Sequence, residues 1–364
     1  MNDRERFLAT MNYQPVDHCP WMEMGYWPET LARWHDEGMP ADVHYQQFLG
    51  IDRRATMPVN LSLCPGFGHE VLEVTEDYEI FRGGDGVVRK QLKRNSQVGS
   101  MPQWLRFPME TREDWENDIK PRLNPNSPAR YPLYWEDMKR MWAGRDWPLG
   151  LRGGSVFGWL RNWMGLEGIS QALYDDPEWV QEMMDYVVDH CIATARRAVE
   201  EVDIDYILLW EDMAYKAGPM ISPRMFRQFM LEPTRRLATF FHDHGIHIIF
   251  MDSDGYPEPL VPLWLEAGVT GLYPVERASG MDVVDLRAKY GRQLRLIGGI
   301  DKRAMALGPQ AIDEELAHVA PVVADGGYMP WCDHFVPPDV SLENYQYYVR
   351  RLKEMTIDPM GFKG

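Results

Sequence analysis

The chain has 364 residues, 45% of them hydrophobic and 26% charged, with a formal net charge of −17. That balance belongs to a folded globular protein able to bury a sizeable core, and it sets aside disordered and fibrous classes. The acidic excess speaks against a nucleic-acid partner, because phosphate binding needs a basic stripe and none occurs.

Taken in chain order, short apolar runs alternate with helical patterns, the signature of βα units. The runs are Cys19–Glu23, a weaker stretch from Ile51 to Met57, Leu149–Gly153, Tyr206–Trp210, His247–Met251, Gly271–Val275, Leu294–Gly298 and Gly327–Trp331. Between the second and third, Val71 to Tyr78 and Val87 to Leu92 flank Gly83-Gly84-Asp85-Gly86 and predict a β-hairpin beside the barrel. Asp176 before Pro177 predicts a helix start, followed by one apolar stripe at Val180, Met183, Met184, Val187, Val188, Cys191 and Ile192. Ser222-Pro223 opens another helix, which Pro233 should kink or divide and Gly245 should close. His242 and His244 fall in its last turn, where the helix dipole favours cations. Eight such units predict one α/β domain over residues 1–364: a (β/α)8 TIM barrel with an N-terminal elaboration and a hairpin insertion.

The four cysteines, Cys19, Cys64, Cys191 and Cys332, form no CxxC pair and give no disulfide framework, which suits a reduced compartment. No run approaches the ~18 apolar residues of a membrane span, and Met1 to Arg6 leads into no apolar signal segment. A soluble cytoplasmic enzyme is the expectation.

Parallel strands covered on both faces tolerate charge only at their ends, and in barrels the C-terminal ends line the active site. The residues just past successive runs are Glu23, Glu211 and Asp212, Asp252 and Asp254, Glu276, Asp301, and Asp333 with His334. So many carboxylates around one mouth call for something positive among them: a metal ion, Arg152, Arg161, Lys216, Lys302 or a cationic substrate. The plainer reading is that such acids cap the following helices or shape turns, as at Asp254-Gly255 and Asp301-Lys302. Side chains alternate along a strand, so Cys332 with His334, or Asp333 alone, are the reasonable ligands from the last strand. Cys332 as a small buried residue is the competing reading. Trp27, Trp104, Phe157, Trp159 and Trp210 are candidates for the wall of an apolar pocket.

Several segments resemble one family. They are Arg4-Glu5-Arg6 with Asn12 to Asp17, Gly153 to Gly158, Glu211 to Lys216, Gly218 to Pro223, Asp252 to Gly255, Gly298 to Lys302 and Asp333 to Ser341. On these the chain resembles the uroporphyrinogen decarboxylase superfamily, from its first residues nearly to its last. The resemblance implies either of two chemistries: cofactor-free decarboxylation of a tetrapyrrole, or methyl transfer among small donors, corrinoid proteins and thiols, commonly with zinc. The decarboxylases carry an Arg-Gln-Ala-Gly-Arg segment after the first strand, whereas Glu23-Met24-Gly25-Tyr26-Trp27 stands here without an arginine. Their Gly-His-Gly-Ile segment is replaced by Cys332-Asp333-His334-Phe335. The zinc methyltransferases carry His-x-Cys after the fifth strand, where this chain has Met251-Asp252-Ser253, although Cys332 lies within one residue of their third ligand.

The resemblance therefore favours a methyltransferase acting on a small, methoxylated donor, an O-demethylase, with a partner corrinoid protein bearing cobalamin. A cofactor-free decarboxylase (a lyase) is the alternative, and a barrel that only binds a ligand the third reading. Glu211, Asp252, Glu276 and Asp333 are the expected catalytic carboxylates. Glu23, Arg152, Phe157, Arg161, Trp210, Lys216, Asp301 and His334 are the expected substrate contacts. Asp252, Asp254, Cys332 and His334 are the expected zinc ligands, and a homodimer is left open.

Overall fold

The computed structural model describes residues 1–93 and 101–362. β1 (Ala55–Thr56) precedes an excursion of four strands, β2 (Glu70–Val74), β3 (Tyr78–Arg82), β4 (Val88–Leu92) and β5 (Gln103–Arg106). β6 (Leu149–Gly154) and β7 (Tyr206–Trp210) follow, then a small hairpin of β8 (Ala214–Tyr215) and β9 (Gly218–Pro219). β10 (Ile249–Asp252), β11 (Gly271–Val275), β12 (Arg295–Ile300) and β13 (Tyr328–Cys332) end the series. One parallel sheet runs β1-β6-β7-β10-β11-β12-β13, curled into a barrel-like α/β architecture with helices outside.

The first expected strand, Cys19–Glu23, is not a strand. Pro20 has no N–H to donate to a ladder, so the segment is held by isolated bonds instead. The Asp52 amide donates to the Trp21 carbonyl at 2.7 Å, the Cys19 thiol to the Tyr328 carbonyl at 3.2 Å, and a parallel bridge joins Tyr26 to Val336. The segment thus links β13 to the approach of β1 and closes the ring without pairing. The weak stretch from Ile51 to Met57 contributes only the two residues of β1.

The insertion is also larger than expected. The turn at Gly83 to Gly86 does join two antiparallel strands, β3 and β4. The predicted first arm, however, is cut by a second turn, in which the Tyr78 amide donates to Thr75 Oγ1 at 3.1 Å. β2 and β5 then flank the pair, and among the described residues this four-stranded sheet shares no ladder with the barrel.

The helices follow their sequence signals. Asp176 caps Pro177–Glu201 through the Trp179 amide, and Val180, Met183, Met184, Val187, Val188 and Cys191 are fully buried. Ser222 caps Pro223–Met225, after which a π turn at Phe226–Met230 separates it from Leu231–Asp243. Pro233 cannot donate to the Phe229 carbonyl, so the ladder widens there. Gly245 follows with φ +80°, and the rings of His242 and His244 bond the carbonyls of Gly268 and Phe240.

Two apolar layers result. The outer one fills the space between strands and helices. The inner one, with Phe7, Met11, Met22, Tyr206, Ile248, Phe250, Tyr273, Ile297, Met329 and Trp331, fills the barrel. Phe7 and Met11 come from the N-terminal helix Asp3–Met11, capped by Asn2 and Glu5, and Phe7 packs on Tyr206 at 5.2 Å between ring centroids. Among the described residues no helix is long and apolar enough to cross a membrane.

Candidate active site

Side chains on a strand alternate between the barrel interior and the helical layer. The register places them in tiers: Gly150 beside Tyr206, then Arg152 beside Leu208, Phe250 and Gly271, then Trp210 beside Asp252 and Tyr273. Gly150 and Gly271 are needed for space, since a Cβ on either would lie about 2.4 Å or less from the ring of Tyr206 or Phe250. Above these rings opens a cavity of about 500 Å³ lined by, among others, Met22, Met24, Arg54, Arg152, Tyr206, Leu208, Trp210, Phe250, Asp252, Asp254, Tyr273, Trp331, His334 and Phe335. It has the size of a small-molecule site, with a lining that mixes aromatic and charged side chains.

Five sequence candidates meet in this cavity: Arg152, Trp210, Asp252, Asp254 and His334. Burial pushes the Asp252 carboxyl well above the usual carboxylate range, and the charges of Asp254 and Asp212 add to it. The nearby Arg152 works the other way without overcoming them. Burial opposes the charged form of the His334 ring, yet the Asp254 carboxylate, 3.5 Å from Nε2, outweighs it and raises its pKa. Asp254 Oδ1 is buried and has no hydrogen-bond partner among the described residues. Asp212 joins this group with φ +40°, a left-handed conformation costly for a non-glycine residue and characteristic of functional turns. Its carboxylate meets the Arg161 guanidinium at 3.1 Å, and Arg161 lies over the Trp210 ring.

The other candidates lie elsewhere. The Glu211 carboxylate is buried against the start of the helix Phe157–Asp175, accepting from the amides of Val156, Phe157 and Gly158 at 2.5, 2.8 and 2.9 Å and from Ser155 Oγ at 3.2 Å. Burial raises the pKa of this carboxyl, and the unpaired amides and dipole of the helix N-terminus work the other way by favouring its charged form. Phe157 is fully buried in the outer layer, and Lys216 sits in the exposed turn between β8 and β9. Asp301 caps Lys302–Leu307 and pairs with Arg303. Glu276 and Asp333 share Lys302, whose Nζ is 3.4 Å from each. Glu23 accepts from the amides of Met24 and Cys332 and from the Tyr345 hydroxyl, and burial raises its pKa to about 8. It lines a separate cavity of about 60 Å³ beside the larger one. Of the proposed aromatic wall, only Trp210 lines the cavity; Trp104 is exposed on β5, and Trp27 stacks outside on His334.

Cys332 points into the outer layer, as the alternation from the inward Trp331 requires, and burial drives its thiol well above the usual range. Among the described residues no three His, Cys, Asp or Glu side chains are arranged to hold a metal. The donor set expected for zinc therefore does not assemble.

Sequence reasoning missed Arg54, Tyr206 and Tyr273, and named Asp212 only as one of the strand-end acids. Arg54 projects from the approach to β1 and donates to the carbonyls of Glu23 and Met24 at 2.9 and 3.1 Å, with its guanidinium over the Trp331 ring. Counting alternate positions inward from Trp210 and Asp252 would have reached Tyr206, Leu208 and Phe250.

A family model described as uroporphyrinogen decarboxylase matches residues 130–355, more than half of the chain. The uroporphyrinogen decarboxylases of Alcanivorax borkumensis and Hydrogenovibrio crunogenus are each 22% identical to it, over 97% of both chains. Among solved structures, a methyltransferase from Methanosarcina mazei superposes with a TM-score of 0.65 at 17% identity, covering 98% of this chain and 99% of that one.

Proposed function

The chain belongs to the uroporphyrinogen decarboxylase family, and from that premise we propose that it transfers a methyl group from a small methoxylated donor, with Asp252 as the acid that makes the departure feasible. It is an enzyme of that superfamily. The observation that carries the finer reading is a carboxyl driven toward its neutral form inside a small aromatic cavity. An ether oxygen leaves poorly as an alkoxide or phenoxide, and a neutral carboxylic acid within reach can protonate it as the C–O bond breaks. The Asp252 carboxylate so formed is stabilised by the field of Arg152, and His334 paired with Asp254 offers a route for the returning proton. Trp210 and Tyr273, in the tier of Asp252, hold the donor and exclude water around it.

A corrinoid on a partner protein would supply the nucleophile that accepts the methyl group. The cavity is too small to enclose one, so the acceptor would be met at the mouth. No step is assigned to zinc, because Cys332 points away from the cavity that holds Asp252, Asp254 and His334, and among the described residues no three such side chains are arranged to hold a metal. Residues 1–364 are read as one domain, since Met22, Met24 and His334 line the same cavity.

Decarboxylation of a small acid is the second reading. The curated relatives carry that name, and a neutral Asp252 could also protonate a carbanion. Incubation with methoxylated aromatic compounds and reduced cobalamin, followed by product analysis, separates the two. Release of the demethylated alcohol or phenol supports methyl transfer, whereas carbon dioxide without demethylation supports the second reading and overturns the first.

A further inference from the structure

Two arginines reach the cavity, and they differ in what they hold. Arg54 is engaged by the backbone carbonyls of Glu23 and Met24 and by the face of Trp331. Arg152 makes no hydrogen bond or ion pair within contact distance among the described residues, although it sits on a barrel strand and faces inward. A cation that lines an open aromatic chamber and is itself solvent-exposed, with its planar fork unoccupied, is a recognition element for a carboxylate. A phosphate dianion suits the place poorly, because Asp252 and Asp254 line the same chamber.

The tiers add a length. Arg152 pairs in register with Leu208, and Asp252 with Trp210, two residues further along the same neighbouring strand. Two strand residues rise about 6.6 Å, which is close to the separation of substituents on opposite corners of a benzene ring. The rings of Phe250 and Tyr273 line the wall beside that span.

We infer that the donor is a small aromatic carboxylate, its carboxylate held by Arg152 in the deeper tier and its ether oxygen presented to Asp252 nearer the mouth. This rests on the methyl-transfer reading for the ether end only. The carboxylate end is a binding property and is tested apart from turnover.

The test is titration calorimetry of the full chain with 4-methoxybenzoate and with its neutral isostere 4-methoxybenzamide, on the wild type, Arg152→Met and Arg152→Lys. Charge-assisted pairing predicts that the wild type binds the acid at least about tenfold tighter than the amide. Arg152→Met should lose that preference while holding the amide as before, and Arg152→Lys should keep part of it. Equal affinities in the wild type, a preference that survives Arg152→Met, or no binding of either probe would overturn the inference. If Arg152→Met does not fold, shown by circular dichroism, the wild-type ratio of acid to amide still decides. A clear acid preference without demethylated product would retain the carboxylate site and count against the proposed reaction.

Discussion

Asp252 and Glu211 both follow an apolar strand, yet their side chains meet different surroundings. Asp252 faces the cavity with acids around it, so Asp252→Asn should leave the fold intact, by circular dichroism, and slow product formation about 10²- to 10⁴-fold. Glu211 answers three helix-start amides, so Glu211→Ala should cost roughly 3 kcal/mol or more in denaturant titration by leaving them unpaired. Glu23 makes a pH prediction. Its carboxyl titrates at about 8 in the folded chain, against an ordinary glutamate value of about 4.3 unfolded. Between those values the folded state keeps a proton the unfolded state has released, so this contribution is present at low pH and lost as pH rises toward 8. Glu23→Gln should match the wild-type melting temperature near pH 5 and exceed it near pH 9. An unchanged difference across that range would count against it.

Helix starts were legible because their signals are local. Asp176, Pro177 and the apolar stripe lie within a few turns, and the helix begins where they say. Asp176→Ala should therefore lower the melting temperature by roughly 1–2 °C, a cap's worth of stability in a chain of this size. Strand positions were legible for six of the runs, where continuous apolar residues mark a buried parallel sheet. Cys19–Glu23 misled because Pro20 interrupts a pattern that is otherwise strand-like. The four-stranded sheet was half seen because one glycine-rich turn announces itself and the turn at Thr75 does not. The site was legible only in part. Position after a strand is a property of sequence, but which way a side chain points depends on parity. Asp252 and Trp210 share an inward face, while Glu211 and Cys332 belong to the layer behind. Arg54 escaped notice because it precedes a strand of only two residues.

At the scale of the molecule, the chain closes a barrel of the family's kind around a chamber of about 500 Å³, in which, among the described residues, the Arg152 guanidinium is unengaged and burial pushes the Asp252 carboxyl well above the usual carboxylate range. A polyanionic tetrapyrrole needs several cations at its binding face, and one free arginine beside two acids opposes it. No conversion of uroporphyrinogen is expected; turnover near 1 per second, typical of enzymes, would reverse the order of the two readings. We propose that a carboxylic acid, rather than a resident metal, assists departure of the methyl donor. The most direct test is the pH profile of demethylation of 4-methoxybenzoate, followed with reduced cobalamin in the presence of a zinc chelator. Full rates are expected under chelation, with a plateau at low pH and a decline through a single ionisation as Asp252 loses its proton, the plateau being absent in Asp252→Asn. Activity abolished by the chelator and restored by zinc, or a wild-type profile in Asp252→Asn, would contradict it.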